Sequence, residues 1–286
     1  MFELTSDRLR AALLEPAEVR LRTIRFDQTA FIAQVTLDGR TAFCCQEPEG
    51  LGHPWTGGAG LCSEIRAAWP VAAAQPGGRF HKPGVGVLTK PDEKPYSHVR
   101  TYESEPYGVS WSAAGNEAHF EIRTDEVNGY ALHQIKQVLL EANCLTVRYW
   151  MRNTGTQAID IDEYCHNFVT IEGRAAGPDY RLGIPAADPL WTPRGMHRED
   201  GSLRLAAPAA APFMTGIPGE RLCGPFAWTL SHAAERAVIT EEDSFHPAFC
   251  GLWACGRIFS PEVHFCAQLS PGEACAWERR WRFRGA

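Results

Sequence analysis

The sequence predicts an almost all-β protein, and three observations carry that prediction. The 286-residue chain holds 26 Gly and 20 Pro, too many for a helical protein and suited to strands joined by tight turns. Several segments alternate apolar and polar residues with the period of a half-buried strand. Between them stand dipeptides that reverse an antiparallel chain, such as Asp38-Gly39 and Asn128-Gly129. The length is ordinary for one large β-sandwich, and no shift in composition marks a second domain, so residues 1–286 read as a single domain.

Taken in order, the chain opens on one expected helix. Ser6 or Asp7 can cap it, Leu9 and Leu13 share a face, and Pro16 ends it, giving a helical, peripheral segment over 1–19. Strands are expected at 20–25, 31–37 and 40–45, the last two joined as a hairpin by Asp38-Gly39. Residues 46–61 form a Gly-dense loop of the kind that lets a backbone approach a ligand closely. Gly84 and Gly86 sit in an apolar run, where they fit a twisted strand with a close neighbour. Three antiparallel strands follow at 117–124, 131–140 and 144–152, with turns at Asn128-Gly129 and 141–143. A turn at 153–155 leads to a strand over 157–171. Residues 185–220 lack periodicity but keep apolar anchors, as in a long ordered excursion. Strands resume at 226–230, 236–240, 263–269 and 275–284.

Composition excludes several functions. A net charge of −6 and no run of Lys or Arg disfavour nucleic acid. Charges at Glu3, Asp7, Arg8 and Arg10 break any signal-peptide pattern, and no apolar run is long enough for a membrane span, so a cytoplasmic protein is expected. The ten Cys include no CxxC pair and read as reduced thiols, with Cys165, Cys250 and Cys266 as small buried hydrophobes. No spacing predicts a metal, and no cofactor is expected.

Two segments carry more. Residues 145–168 run from an apolar strand through Asn153-Thr154-Gly155 into a second strand ending Cys165-His166-Asn167-Phe168. Residues 258–277 carry Pro261-Glu262, then Leu269-Ser270-Pro271-Gly272-Glu273 and an aromatic last strand with Trp277. In that order they resemble the galactose mutarotase-like (aldose 1-epimerase) superfamily. The resemblance implies two large antiparallel sheets in a wide sandwich with a concave sugar cleft. It also implies anomer interconversion: a carboxylate takes the proton of the anomeric hydroxyl, an imidazole protonates the ring oxygen, and the two face each other across the sugar. His166 matches the acid and Glu262 the base. Glu273, in its Pro-Gly-Glu turn, reads as a solvated turn residue. The region around His53 departs from the family's pattern, which leaves the second cleft histidine open among His53, His81 and His98.

The remaining candidates are substrate-binding. Glu64, His81 and Lys82 are polar groups embedded in Gly-rich, otherwise apolar sequence. His98, Arg100 and Tyr102 alternate on one face of an expected strand, and Arg100 matches the cleft arginine of the resemblance. Asn167 stands beside His166 in the motif. Trp191 and Trp253 are the indoles placed to pack on a sugar ring. The expected function is a carbohydrate-active isomerase on a small sugar or sugar acid; a homodimer is compatible with it. The alternatives are a carbohydrate-binding module without catalysis, a sugar lyase using the same cleft, or a scaffold for a partner subunit.

Overall fold

The structure, a computed structural model, describes residues 1–66 and 68–285. In chain order the first elements are β1 (Phe2–Thr5), β2 (Leu9–Leu13), α1 (Pro16–Arg22), β3 (Ile32–Leu37), β4 (Thr41–Ala42), β5 (Gly60–Ile65) and α2 (Ala68–Ala73). Next come β6 (Arg79–Lys82), β7 (Gly86–Thr89), β8 (Ser104–Pro106), β9 (Val109–Ala114), β10 (Glu117–Arg123), β11 (Leu132–Glu141), β12 (Cys144–Asn153) and β13 (Ile159–Phe168). The chain closes with β14 (Tyr180–Gly183), β15 (Met196–Glu199), β16 (Ser202–Leu205), β17 (Phe213–Pro218), β18 (Phe226–His232), β19 (Val238–Asp243), β20 (Phe249–Cys255), β21 (Ile258–Leu269) and β22 (Ala274–Arg284).

Two large antiparallel sheets result. One runs β1-β2-β3-β5-β13-β21-β20-β17, with β4 on β3; the other runs β15-β16-β14-β18-β19-β22-β12-β11-β10-β9. A small third sheet orders β6-β7-β8. The large sheets face each other over one apolar core, to which Val35, Ile161 and Val263 come from the first sheet and Val138, Trp228 and Trp281 from the second. Where one face of a strand meets water, burial alternates, as along β11 and β22. Where both faces are covered the alternation vanishes: β5 is buried throughout, as is the second half of β13. That loss of alternation marks the wall of the cleft.

The expected N-terminal helix is a strand. Leu9, Ala11 and Leu13 are buried on alternate positions and β2 pairs with β3. A four-residue spacing such as Leu9 to Leu13 satisfies a period of two as well as one of 3.6, so the two apolar residues could not separate the alternatives. Pro16 opens α1 instead of closing a helix. Glu15 stands at its N-cap, and the Glu18 carboxylate accepts the Glu15 N–H (2.9 Å). The strand expected at 20–25 is therefore the end of α1 and the loop after it. Residues 98–102 are likewise a turn and not a strand, with the Arg100 N–H bonded to the Ser97 carbonyl. The excursion at 185–220 is ordered and contributes β15, β16 and β17. All ten cysteines are free thiols, and Cys266, expected inside, is exposed on β21. No described helix is long and apolar enough to cross a membrane.

At Gly60 the Gly-dense loop brings backbone against backbone and not against a ligand. The φ of Gly60 is +57°, and a Cβ there would lie 2.0 Å from the Ile32 carbonyl oxygen and 2.8 Å from that of Ala33. The β3–β5 contact closes only over a bare Cα. Gly60→Ala is expected to cost about 3 kcal/mol or more. Urea unfolding measures it; a loss under about 1 kcal/mol would show that β3 and β5 part without penalty.

Candidate functional site

The site follows from the two-residue period of four neighbouring strands. Residues on one face of β5, β13, β21 and β20 build the core, and those on the other face line a cleft of about 760 Å³. On that face stand Glu64 from β5, Tyr164 and His166 from β13, Ser260 and Glu262 from β21, and Trp253 from β20. β13 pairs with β21 as far as Tyr164 opposite His264. Carried on by two residues, the register sets His166 directly across from Glu262. Side chains so placed must touch, and Nε2 of His166 lies 3.1 Å from Oε1 of Glu262.

The ladder itself stops here, and Pro261 explains why. Proline has no N–H to donate, so β21 cannot pair with β13 at this position. Side chains take over the open backbone groups. The Asn167 N–H donates to Ser260 Oγ (2.9 Å), and Asn167 Nδ2 donates to the Pro261 carbonyl (2.6 Å). Ser260 Oγ also lies 3.1 Å from Nδ1 of His166. On the far side Gly251 leaves room for the carboxylate: a Cβ there would sit 3.2 Å from the Glu262 Cβ.

A second polar group lies beside the pair. Glu64 receives the Arg25 Nε–H (2.8 Å), the Tyr164 hydroxyl (2.6 Å) and the Lys82 ammonium (2.9 Å), while Arg25 also reaches Tyr164 Oη (2.8 Å). Burial alone would raise Glu64, but Lys82 and Arg25 outweigh it and hold the carboxyl well below its usual range. Nothing cationic touches Glu262 in the same way. Burial pushes its carboxyl up to about 7, against an ordinary 4.5, with Arg25, Arg66 and the Ser260 hydroxyl only moderating the rise. His166 is stacked on Phe168 (3.8 Å between centroids) and meets Phe26 and Trp253 edge-on. Burial in that apolar setting, helped by Arg25, lowers it well below 6.5 and keeps the imidazole neutral. His98 falls to about 4 for the same main reason. Burial thus reverses the ordinary order of the two groups: the carboxyl rises to about 7 while the imidazole falls below its usual range, so near neutrality the carboxyl holds a proton more readily than the imidazole does.

The structure brings together His166, Glu262, Glu64, His98 and Trp253 around the cleft, with His53 at its edge, and leaves five candidates outside it. Asn167 alternates onto the core face, where Glu241 and Trp281 hold its amide. His81 is buried behind the cleft between Tyr107 Oη (2.7 Å) and the Tyr130 carbonyl (2.9 Å). Lys82 is fully buried and meets the cleft through Glu64 and through the ring of Tyr96, 4.8 Å from its ammonium. Arg100 lines a neighbouring cavity of about 270 Å³ and pairs with Asp92. Trp191 packs at the margin of the core after β14. Glu273 is exposed in its turn. The expected placement of acid and base across a sugar is replaced by one in which both stand on the same wall, because adjacent strands carry them. Three residues escaped the sequence reading. Tyr164 was legible, since it lies two positions before His166 and shares its face. Ser260 had the same relation to Glu262. Arg25 had no such signal, because it comes from the loop after α1.

Solved structures with this architecture were found across the whole chain. A galactose mutarotase-related enzyme from Lactobacillus acidophilus superposes with a TM-score of 0.62 at 10% identity, covering 99% of this chain and 97% of that one. A galactose mutarotase-like protein from Lactobacillus casei gives 0.61 at 11%, covering 99% and 100%. An aldose epimerase homologue from C. elegans gives 0.60 at 12%, covering 100% and 98%. No protein-family model and no curated protein matches the chain. At such identities the likeness is one of fold: the chain shares the β-sandwich architecture of these galactose mutarotase-like structures.

Proposed function

We propose that the chain is an isomerase that interconverts the anomers of a small sugar or sugar acid in this cleft. The observation that supports the reading is the His166–Glu262 pair, 3.1 Å apart and facing a cleft of sugar size. The anomeric hydroxyl oxygen and the ring oxygen share one carbon, so an acid and a base a hydrogen bond apart can reach both. The ionised Glu262 takes the hydroxyl proton while His166 Nε2 gives one to the ring oxygen. The ring opens, the carbonyl turns, and closure on its other face gives the second anomer. Trp253, half-buried at the wall, offers an indole face to the sugar's C–H surface. Arg25, Glu64 and Tyr164 present donors and acceptors to its hydroxyls.

Exchange NMR on free aldoses, uronic acids and hexose phosphates tests this. Wild type is expected to speed anomer exchange for one of these classes, and His166→Ala to slow it by about 10²-fold or more. Binding without exchange would turn the protein into a carbohydrate-binding module or a lyase; no binding at all would remove the carbohydrate reading.

A further inference from the structure

A neutral imidazole is a poor acid unless it gains a proton at one nitrogen while losing one at the other. Otherwise it leaves an imidazolate, and a buried new charge is costly. His166 is 4% exposed and packed by three aromatic rings, so that cost applies in full. Attention therefore turns to what faces Nδ1, and that is Ser260 Oγ at 3.1 Å. Ser260 is completely buried. Its oxygen already accepts the Asn167 N–H, which fixes the side chain in place and leaves its single hydroxyl proton free to be aimed. Ser260 precedes Glu262 by two positions on β21, so the two side chains share a face. The hydroxyl thus lies against the far nitrogen of the imidazole and on the same strand face as the carboxylate.

We propose that Ser260 is a positioning residue that closes a proton circuit between Glu262 and His166. This rests on the isomerase reading above. On ring opening, the anomeric O–H proton passes to the Glu262 carboxylate. The Glu262 proton passes to Ser260 Oγ as the serine's own proton passes to Nδ1. The Nε2 proton passes to the ring oxygen, the bond from that oxygen to the anomeric carbon breaks, and the carbonyl forms. Glu262 ends ionised, Ser260 ends as a hydroxyl, and His166 ends neutral in its other tautomer. Closure runs the same transfers backwards and resets all three groups. No net charge is created in the buried wall at any stage, which is the advantage over a direct exchange between two side chains.

The test combines ring-nitrogen NMR of histidine-labelled protein with anomer-exchange kinetics on wild type, Ser260→Ala and Ser260→Thr. In wild type both neutral tautomers of His166 are expected to be visible, in exchange. Ser260→Ala is expected to freeze one tautomer and to lower kcat by about 10²-fold with KM little changed. Ser260→Thr restores a hydroxyl and is expected to recover both tautomers and most of kcat. A wild-type ring fixed in one tautomer would overturn the proposal, and so would a folded Ser260→Ala with wild-type kcat. If wild type exchanges no sugar, the isomerase reading fails by itself. The wild-type NMR then judges the Ser260 link: two exchanging tautomers lost in Ser260→Ala support it, and unchanged ring shifts sink it.

Discussion

Glu262→Gln is expected to abolish anomer exchange while making the protein more stable above neutral pH. The activity loss should be about 10²- to 10⁴-fold, since an amide cannot take a proton. The stability gain follows from the carboxyl's position. Its value in the folded protein is about 7, against 4.5 ordinarily. Between those values the folded protein holds a proton that the unfolded chain has released. Stability from this group is therefore complete below about pH 4.5 and declines as pH rises through 7. The difference of 2.5 between 7 and 4.5 corresponds to roughly 3 kcal/mol lost by the wild type above neutrality. Glutamine never ionises and escapes that loss. Thermal unfolding of both proteins at about pH 5 and about pH 8 checks the sign. The Tm advantage of Glu262→Gln should be several degrees larger at the higher pH. An equal gap at both, or a fully active variant, would refute the assignment of this carboxyl.

A larger loss is expected from Arg279→Leu. The Arg279 guanidinium lies in the core behind the site with no solvent exposure. It donates to Glu163 Oε2 (2.7 Å), Glu241 Oε1 (3.2 Å), Asp243 Oδ1 (3.2 Å) and the Val263 carbonyl (2.8 Å). Burial already raises Glu241 and Asp243 even with the cation present. Without it, three buried carboxylates face one another with no positive partner. Breaking such a group by removing one partner costs about 3–5 kcal/mol. The variant should be least stable at high pH, where the carboxylates must ionise, and should recover towards about pH 5 as they keep their protons. Urea unfolding across that range measures it. A loss that does not vary with pH would mean packing, not charge, is what Arg279 supplies. The site should feel the change too, because Glu241 and Trp281 hold the amide of Asn167, the neighbour of His166.

How much of this the sequence disclosed depends on the reach of each interaction. The strands from 117 to 168 were legible because hairpin turns and alternation are local properties, and the structure keeps them within a residue or two at most ends of β10, β11 and β12. His166 and Glu262 were legible through the pattern around them. Residues 7–25 were misread because Leu9 and Leu13 fit both periods and Pro16 can begin a helix as well as stop one. Arg100 and Trp191 lie outside the cleft for a different reason. A residue type can suit a sugar cleft without the chain bringing it there, and no local feature of 98–102 or 185–195 encodes its distance from β13. Glu64 was named from the sequence and lies at the cleft, whereas Arg25, which holds it there, was missed because the contact between them joins residues 39 apart in sequence.

The pairing of β13 with β21 has a practical consequence for anyone altering this protein. The 96 positions from His166 to Glu262 do not hold the pair together; two strands lying side by side do. Exposed connections such as the turn at Asp200-Gly201 between β15 and β16 are therefore natural places to graft a tag or a reporter, since their length is not transmitted to the site. A single residue inserted between Ser260 and His264 would act in the opposite way. It would turn the Glu262 carboxylate from the cleft into the core and disarm the wall.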